Sequence, residues 1–204
     1  MPELKYTTIT VASCDPDYLE TAYGHCTDIA AGLITSGHAI SARFGQILTG
    51  DHVGCIIFFA TYSGLGPMGA GMDHVNHSDA FKAMGSSGKA RLVIRNILKL
   101  EDVFLTEPPA MEPTVGVVTR FSSPTPYVEE MKSLLPIFAG NGALITRYGT
   151  LMTGSAAGQR LMAVAYPSME AIEATYDALA ASDAYINAVS GAEVSFRNIF
   201  RFAP

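Results

Sequence analysis

The sequence predicts an α+β fold built from two tandem copies of one β-α-β-β-α-β unit. Three observations carry this reading. The stretch RFGQILTG at 43–50 returns 104 residues later as RYGTLMTG at 147–154. SDAF at 78–81 matches SDAY at 182–185 at the same offset, as Tyr62 matches Tyr166 at the end of an apolar run. IRNILKL at 94–100 matches FRNIFRF at 196–202 at an offset of 102. Ordered echoes at a nearly constant offset indicate duplication, which divides the chain into repeats at 1–104 and 113–204 with a linker at 105–112.

The elements follow in the same order in each copy. Apolar stretches at Tyr6–Ser13 and Val115–Phe121 read as first strands. Next, DPDYLETAYGHCTDIAAGLI sets Leu19, Ala22, Cys26, Ile29 and Leu33 at helical spacing, with Asp15 as N-cap and Pro16 in the first turn. In the second copy Val128, Met131 and Leu135 mark the helix, which Pro136 is expected to end or kink. Strands at 40–49 and 53–62, joined by TGDHVG, match strands at 144–153 and 158–166, joined by TGSAAG; these glycines suit tight hairpins. Gly45 and Gly149, inside strands, mark a bulge or a close backbone approach. A second helical region breaks before Ser78 and Ser182, each able to cap a short last helix.

Final strands run over 90–100 and 192–202. Leu92, Ile94, Asn96, Leu98 and Leu100 share one face, and Val93, Arg95, Ile97 and Lys99 the other. The apolar face is expected under the helices. Asn96 and Asn198 then need hydrogen-bond partners, in a neighbouring loop or helix end, or in a ligand.

This element order is ferredoxin-like, and two such units in tandem resemble the dimeric α/β-barrel superfamily, with the pair fused into a pseudo-dimeric barrel. The resemblance covers nearly the whole chain and rests on element order and the helix–Ser–x–x–aromatic pattern. It implies relatives such as small cofactor-independent monooxygenases of the antibiotic-biosynthesis type, haem-degrading enzymes, lactone isomerases and proteins without assigned activity. It therefore admits haem or a divalent metal while requiring neither. One fold hosts many functions, so the site has to be argued separately.

Composition narrows the classes. Apolar residues make up 49% of the 204-residue chain and charged residues 16%, well under the roughly 25% of an average soluble protein. Part of the surface is therefore expected to be covered by the other repeat or by another subunit, in a homodimer or larger assembly. A formal net charge of −6 without a basic tract argues against nucleic acid and anionic membranes. MPELKYTTITV lacks a signal-peptide pattern, no apolar run approaches the ~20 residues that span a bilayer, and three cysteines show no CxxC spacing. A reduced, cytoplasmic protein fits these features.

Functional candidates come from differences between the copies. All five histidines, His25, His38, His52, His74 and His77, lie in the first copy, and the repeat positions of His74 and His77 are Ala178 and Ala181. Histidine suits proton transfer and metal binding near neutral pH. His74 and His77 stand i, i+3 and share a helix face, yet no HExxH motif or third fixed ligand accompanies them, so no metal site is assigned. Monooxygenase-like members of the superfamily often carry a histidine shortly before the serine of this helix; here His74 lies four residues before Ser78 and His77 directly precedes it. SGLGPMGAGM at 63–72 replaces PSMEAIEATY at 167–176; its Gly64, Gly66 and Gly69 fit GxGxxG, but the following acidic residue of a dinucleotide site is missing. It reads as a mobile lid or loosened helix start.

The resulting expectation is a small-molecule pocket in the N-terminal repeat. His74 and His77 serve there as acid or base, Arg43 holds an anionic group, Tyr62 and Asn96 orient the ligand, and Gly64, Gly66 and Gly69 form the lid. The resemblance makes an oxygenase or isomerase the reaction class. A non-catalytic binding protein and a structural subunit are the alternatives.

Overall fold

The computed structural model describes residues 3–105 and 111–203. Most of the linker expected at 105–112 lies outside them. The first repeat contains β1 (Tyr6–Cys14), a 3-10 turn (Pro16–Tyr18), α1 (Leu19–Thr35), β2 (Ser41–Ile47), β3 (Ile56–Tyr62), α2 (Leu65–His77), α3 (Asp79–Ser86) and β4 (Ala90–Leu100). The second contains β5 (Val115–Ser122), α4 (Val128–Gly140), β6 (Ile145–Leu151), β7 (Arg160–Tyr166), α5 (Met169–Ala180), α6 (Asp183–Val189) and β8 (Glu193–Phe202). Ser78 and Ser182 cap α3 and α6 by accepting hydrogen bonds from the Phe81 and Tyr185 amides at 3.2 and 3.4 Å. Pro136 does not end its helix. α4 runs on to Gly140, held by buried Met131, Leu134 and Phe138 on both sides of the missing N–H donor.

The eight strands close into one antiparallel barrel in the order β1-β3-β2-β8-β5-β7-β6-β4. Each repeat contributes four consecutive staves, and two seams join the repeats. At one, Gly45 pairs with Phe202; at the other, Gly149 pairs with Leu100. A Cβ on Gly45 would lie 1.9 Å from the Arg201 carbonyl oxygen, and one on Gly149 would lie 2.1 Å from that of Lys99. The glycines of the repeated octapeptide therefore let the two halves meet.

The end of the octapeptide completes the seam. The Ile199 amide donates to Thr49 Oγ1, and the Ile97 amide donates to Thr153 Oγ1, both at 2.9 Å. Gly50 and Gly154, at φ +74° and +82°, turn the hairpins so that asparagine of the opposite repeat fits against them. Asn198, buried, donates from Nδ2 to the Asp51 carbonyl at 2.7 Å and accepts from the Asp51 amide at 3.2 Å. Asn96 Oδ1 occupies the matching place beside Gly154, 2.4 Å from where a Cβ would stand. Both asparagines are thus fasteners between the halves.

Barrel closure also reverses the expected strand faces. Leu98, Ile94, Leu100 and Phe200 fill the interior with Ile9, Val11, Ile47, Val118, Leu151 and Leu161. The face under the first repeat's helices holds Ile97 and Arg95 instead. A closed barrel has a dry inside, so the most continuously apolar face turns inward. A β-bulge then skips Val93 between the pairs Val11–Ile94 and Ala12–Leu92, and Leu92 joins the helix side.

The seam makes a direct prediction. Gly45→Ala sets side chain against backbone and should lower unfolding free energy by at least about 2 kcal/mol, as overpacking does. Gly24→Ala on α1, where an added Cβ meets nothing within 4 Å, should be neutral or stabilising in the same urea titration.

Candidate functional site

The two repeats differ in how they fill the space between sheet and helices. In the second, fourteen buried residues and Val103 form one cluster that includes Leu134, Phe138, Tyr148, Tyr166 and Leu179. In the first, the buried residues fall into separate clusters around Leu33 and Tyr62 and around Ala22 and Cys26. Residues of both line a cavity of about 350 Å³, whose counterpart in the second repeat measures about 50 Å³.

Sequence differences at the repeat offset account for this. Tyr176 and Tyr185 line the small C-terminal cavity, and the residues 104 positions earlier are Met72 and Phe81 in the large one. Both cavities contain an arginine at the same place in the last strand. Arg197 Nε donates to Thr119 Oγ1 at 3.2 Å, its guanidinium lies 4.5 Å from the Tyr176 ring centre, and Nη2 reaches the Tyr185 hydroxyl at 3.4 Å. Arg95 Nε donates to Thr10 Oγ1 at 3.3 Å, but its guanidinium stands 5.9 Å from the Phe81 ring, which offers no hydroxyl. The tyrosine contacts that occupy Arg197 are thus missing around Arg95.

Arg95 gives the cavity its electrostatic character. No carboxylate and no imidazole line it, and among the described residues no acidic side chain pairs with Arg95. Burial pushes the guanidinium below its usual value, opposed by Tyr62; arginine nonetheless stays protonated. Burial raises the Tyr62 phenol, against the neighbouring Thr8 hydroxyl and the Arg95 charge, so it is a neutral donor near pH 7. Burial pushes the Cys26 thiol up to about 12, leaving it an apolar wall rather than a nucleophile. The remaining lining is largely aliphatic and aromatic, with Arg91 and Leu92 exposed at the rim.

Of the residues singled out in the sequence, Tyr62 reaches this cavity. His74 is half-buried on the far side of α2, its ring 5.8 Å from that of His38 and its Nε2 filling the space beside Gly32. His77 is exposed, with Nδ1 2.7 Å from the Asp73 carbonyl oxygen. Asn96 is at the seam. Arg43 points into the barrel interior and pairs with Glu112. Gly64 precedes α2, while Gly66 and Gly69 lie in that helix with nothing within 4 Å of an added Cβ, so the segment is a helix start rather than a loop. Gly71 is the glycine that matters for packing, since a Cβ there would lie 2.9 Å from the Tyr62 ring.

Arg95, on the strand face opposite the apolar one, stands under the helices because barrel closure turns the apolar face inward. Its signal was available: an arginine kept in both copies, with tyrosines beside it in one copy only.

The chain has the fold of known barrels. It matches a candidate monooxygenase from Lactobacillus acidophilus NCFM with a TM-score of 0.66 at 13% identity, covering 98% of this chain and 94% of that one. It matches chlorite dismutase from Candidatus Nitrospira defluvii with a TM-score of 0.62 at 7% identity, covering 98% and 91%. A candidate monooxygenase from Fusobacterium nucleatum gives a TM-score of 0.61 at 11% identity over 99% and 93%. No curated protein matches the sequence. The architecture is therefore the dimeric α/β barrel with its two repeats fused. The profile of one family, described as Domain of unknown function (DUF6854), fits residues 4–100 and again 116–202, and the chain belongs to that family in two copies.

Proposed function

We propose that the N-terminal repeat binds an apolar small molecule carrying one anionic or readily ionised oxygen, which Arg95 holds. The observation that carries this is a guanidinium without a carboxylate partner in an apolar cavity of about 350 Å³. Arg95 is half-buried and loses part of its hydration, and an oxyanion is the partner its donors fit. Tyr62 adds a second donor on the same wall.

The reaction class that the fold relatives suggest is a small-molecule oxygenase. An oxygenase working here draws its electrons from the ionised ligand itself, while the protein stabilises the oxyanion and excludes water. Proton transfer by His74 and His77 is not part of this reading, because neither lines the cavity. The same fact favours a second reading, a non-catalytic binding protein, since no acid–base pair converges on the ligand space.

The side chains present do not suit a metal cofactor. Among the described residues no group of three His, Cys, Asp or Glu is placed to hold an ion. For haem, the lining offers no imidazole, and the Cys26 thiol is protonated at neutral pH.

Access is assigned to α2. Gly66, Gly69 and Gly71 make it a poor intrinsic helix former, and Met72 and Val75 on it cover the cavity, so its loosening is the cheapest way in. The lid expected at Gly64, Gly66 and Gly69 thus becomes a weak helix. Free thiols at Cys14, Cys26 and Cys55 support a reducing, cytoplasmic setting. Among the described residues no helix is long and apolar enough to cross a membrane. Exposed Leu92, Val93, Ile186 and Val194 support assembly into a homodimer or larger, which light scattering at micromolar concentration should report.

Anilinonaphthalene sulfonate, an apolar anion, is a suitable probe, and the chain has no tryptophan to interfere with its fluorescence. Arg95→Gln should weaken its binding at least about tenfold, or ~1.4 kcal/mol, while Arg197→Gln leaves it unchanged. Equal weakening by both variants, each checked by thermal unfolding, would remove the assignment. Oxygen uptake with a bound ligand separates the oxygenase from the carrier.

Gly66→Ala with Gly69→Ala should raise unfolding free energy by up to about 1 kcal/mol at each position. If α2 is the gate, the same variant should slow probe entry in stopped-flow fluorescence. Unchanged entry in a stabilised variant would place the gate elsewhere.

A further inference from the structure

A second cavity lies inside the barrel, at the end where Arg43 and Arg147 face each other. It measures about 80 Å³, room for several water-sized groups. The register explains the convergence: Arg43 pairs across from Phe59 and Arg147 from Ala163, both on the interior face with Gly45 and Gly149. The two arginines are repeat mates, so the barrel's pseudo-twofold brings like charge to like charge at its axis. Thr7, Thr61 and Ser41 supply hydroxyls; Ile9, Leu98 and Phe200 supply an apolar floor.

The charges here do not balance. Arg43 pairs with Glu112, an exposed residue. Arg147 donates to the neighbouring Thr146 carbonyl at 2.7 Å and has no carboxylate partner among the described residues. Burial pushes the Arg147 guanidinium below its usual value, and the nearby charge of Arg43 adds to the effect. Two guanidiniums that line one small cavity, with a carboxylate on Arg43 alone, form an anion trap.

We propose that this barrel mouth is a binding site for a small oxyanion, a carboxylate or a phosphoryl group, clamped between Arg43 and Arg147. Glu112 is its internal competitor, a carboxylate already resting on one of the two arginines. The site is separate from the Arg95 cavity, uses none of its residues, and stands or falls independently of the proposed function.

The test is a titration of the full-length protein with sodium phosphate and, separately, sodium acetate, at fixed ionic strength. The ¹⁵N-detected Nε–H signals of Arg43 and Arg147 are followed. A saturable shift of both signals with either anion is expected. Saturation by phosphate alone identifies a phosphoryl ligand, and by acetate alone a carboxylate. Arg147→Met should abolish saturation at Arg43, Glu112→Gln should tighten binding several-fold, and Arg95→Gln should change nothing. If Arg147→Met does not fold, the wild-type titration and Glu112→Gln decide. Shifts that rise linearly without saturation for both anions, or binding unaltered in Arg147→Met, would overturn the proposal.

Discussion

The structure depends on two backbone contacts that allow no side chain. At Gly45 and Gly149 the strands of one repeat pass so close to those of the other that a methyl group would overlap a carbonyl oxygen. Once these seams form, each four-stranded sheet loses its edges and barrel closure follows. The Thr–Gly pair after each seam fixes register, because the threonine takes a backbone amide and the glycine turn receives an asparagine from the opposite half. The octapeptide is repeated because a pseudo-twofold barrel has two seams to close.

Closure then decides which residues are free for function. Interior positions, apart from those at the Arg43–Arg147 mouth, are committed to a shared core drawn from both repeats. The positions left to diverge are under the helices, where each repeat stands alone. There the second repeat is filled by Tyr176 and Tyr185, while Met72 and Phe81 leave the first open. A tyrosine hydroxyl that satisfies Arg197 and a ring that fills its cavity are one economical solution. Removing both at the equivalent place leaves a cation and a space together.

Much of the fold was legible in the sequence, because element order and the repeat are set by local spacing. The capped breaks at Ser78 and Ser182 and the hairpins at TGDHVG and TGSAAG stand where their residues indicate, as does the helix at 19–35, except that Asp15 makes no side-chain cap and Pro16 opens a 3-10 turn ahead of it. Alternation says which residues share a strand face, not which side of a sheet becomes the inside of a barrel. That depends on contacts about 150 residues apart, such as Thr49 with Ile199. For the same reason the place of Arg95 under the helices and of Asn96 at the seam is not legible from alternation alone. The histidines were conspicuous by type and by asymmetry, yet residue type carries no direction, and His74 and His77 turn away from the cavity.

The presence of an arginine beneath the helices is by itself weak ground for function, since Arg197 occupies the same register position at the exposed edge of a nearly filled cavity. What distinguishes Arg95 is the balance of its surroundings. Arg197, exposed to solvent, meets a threonine hydroxyl, a tyrosine face and a tyrosine hydroxyl. Arg95 keeps the threonine contact and a distant ring, with about 350 Å³ of mainly apolar space where the tyrosines would be. An aromatic ring would fill that space, as Tyr176 and Tyr185 do in the second repeat. The open, charged arrangement leaves packing unfilled, and a ligand of the proposed kind, with both an oxyanion and an apolar body, would remove both deficits at once.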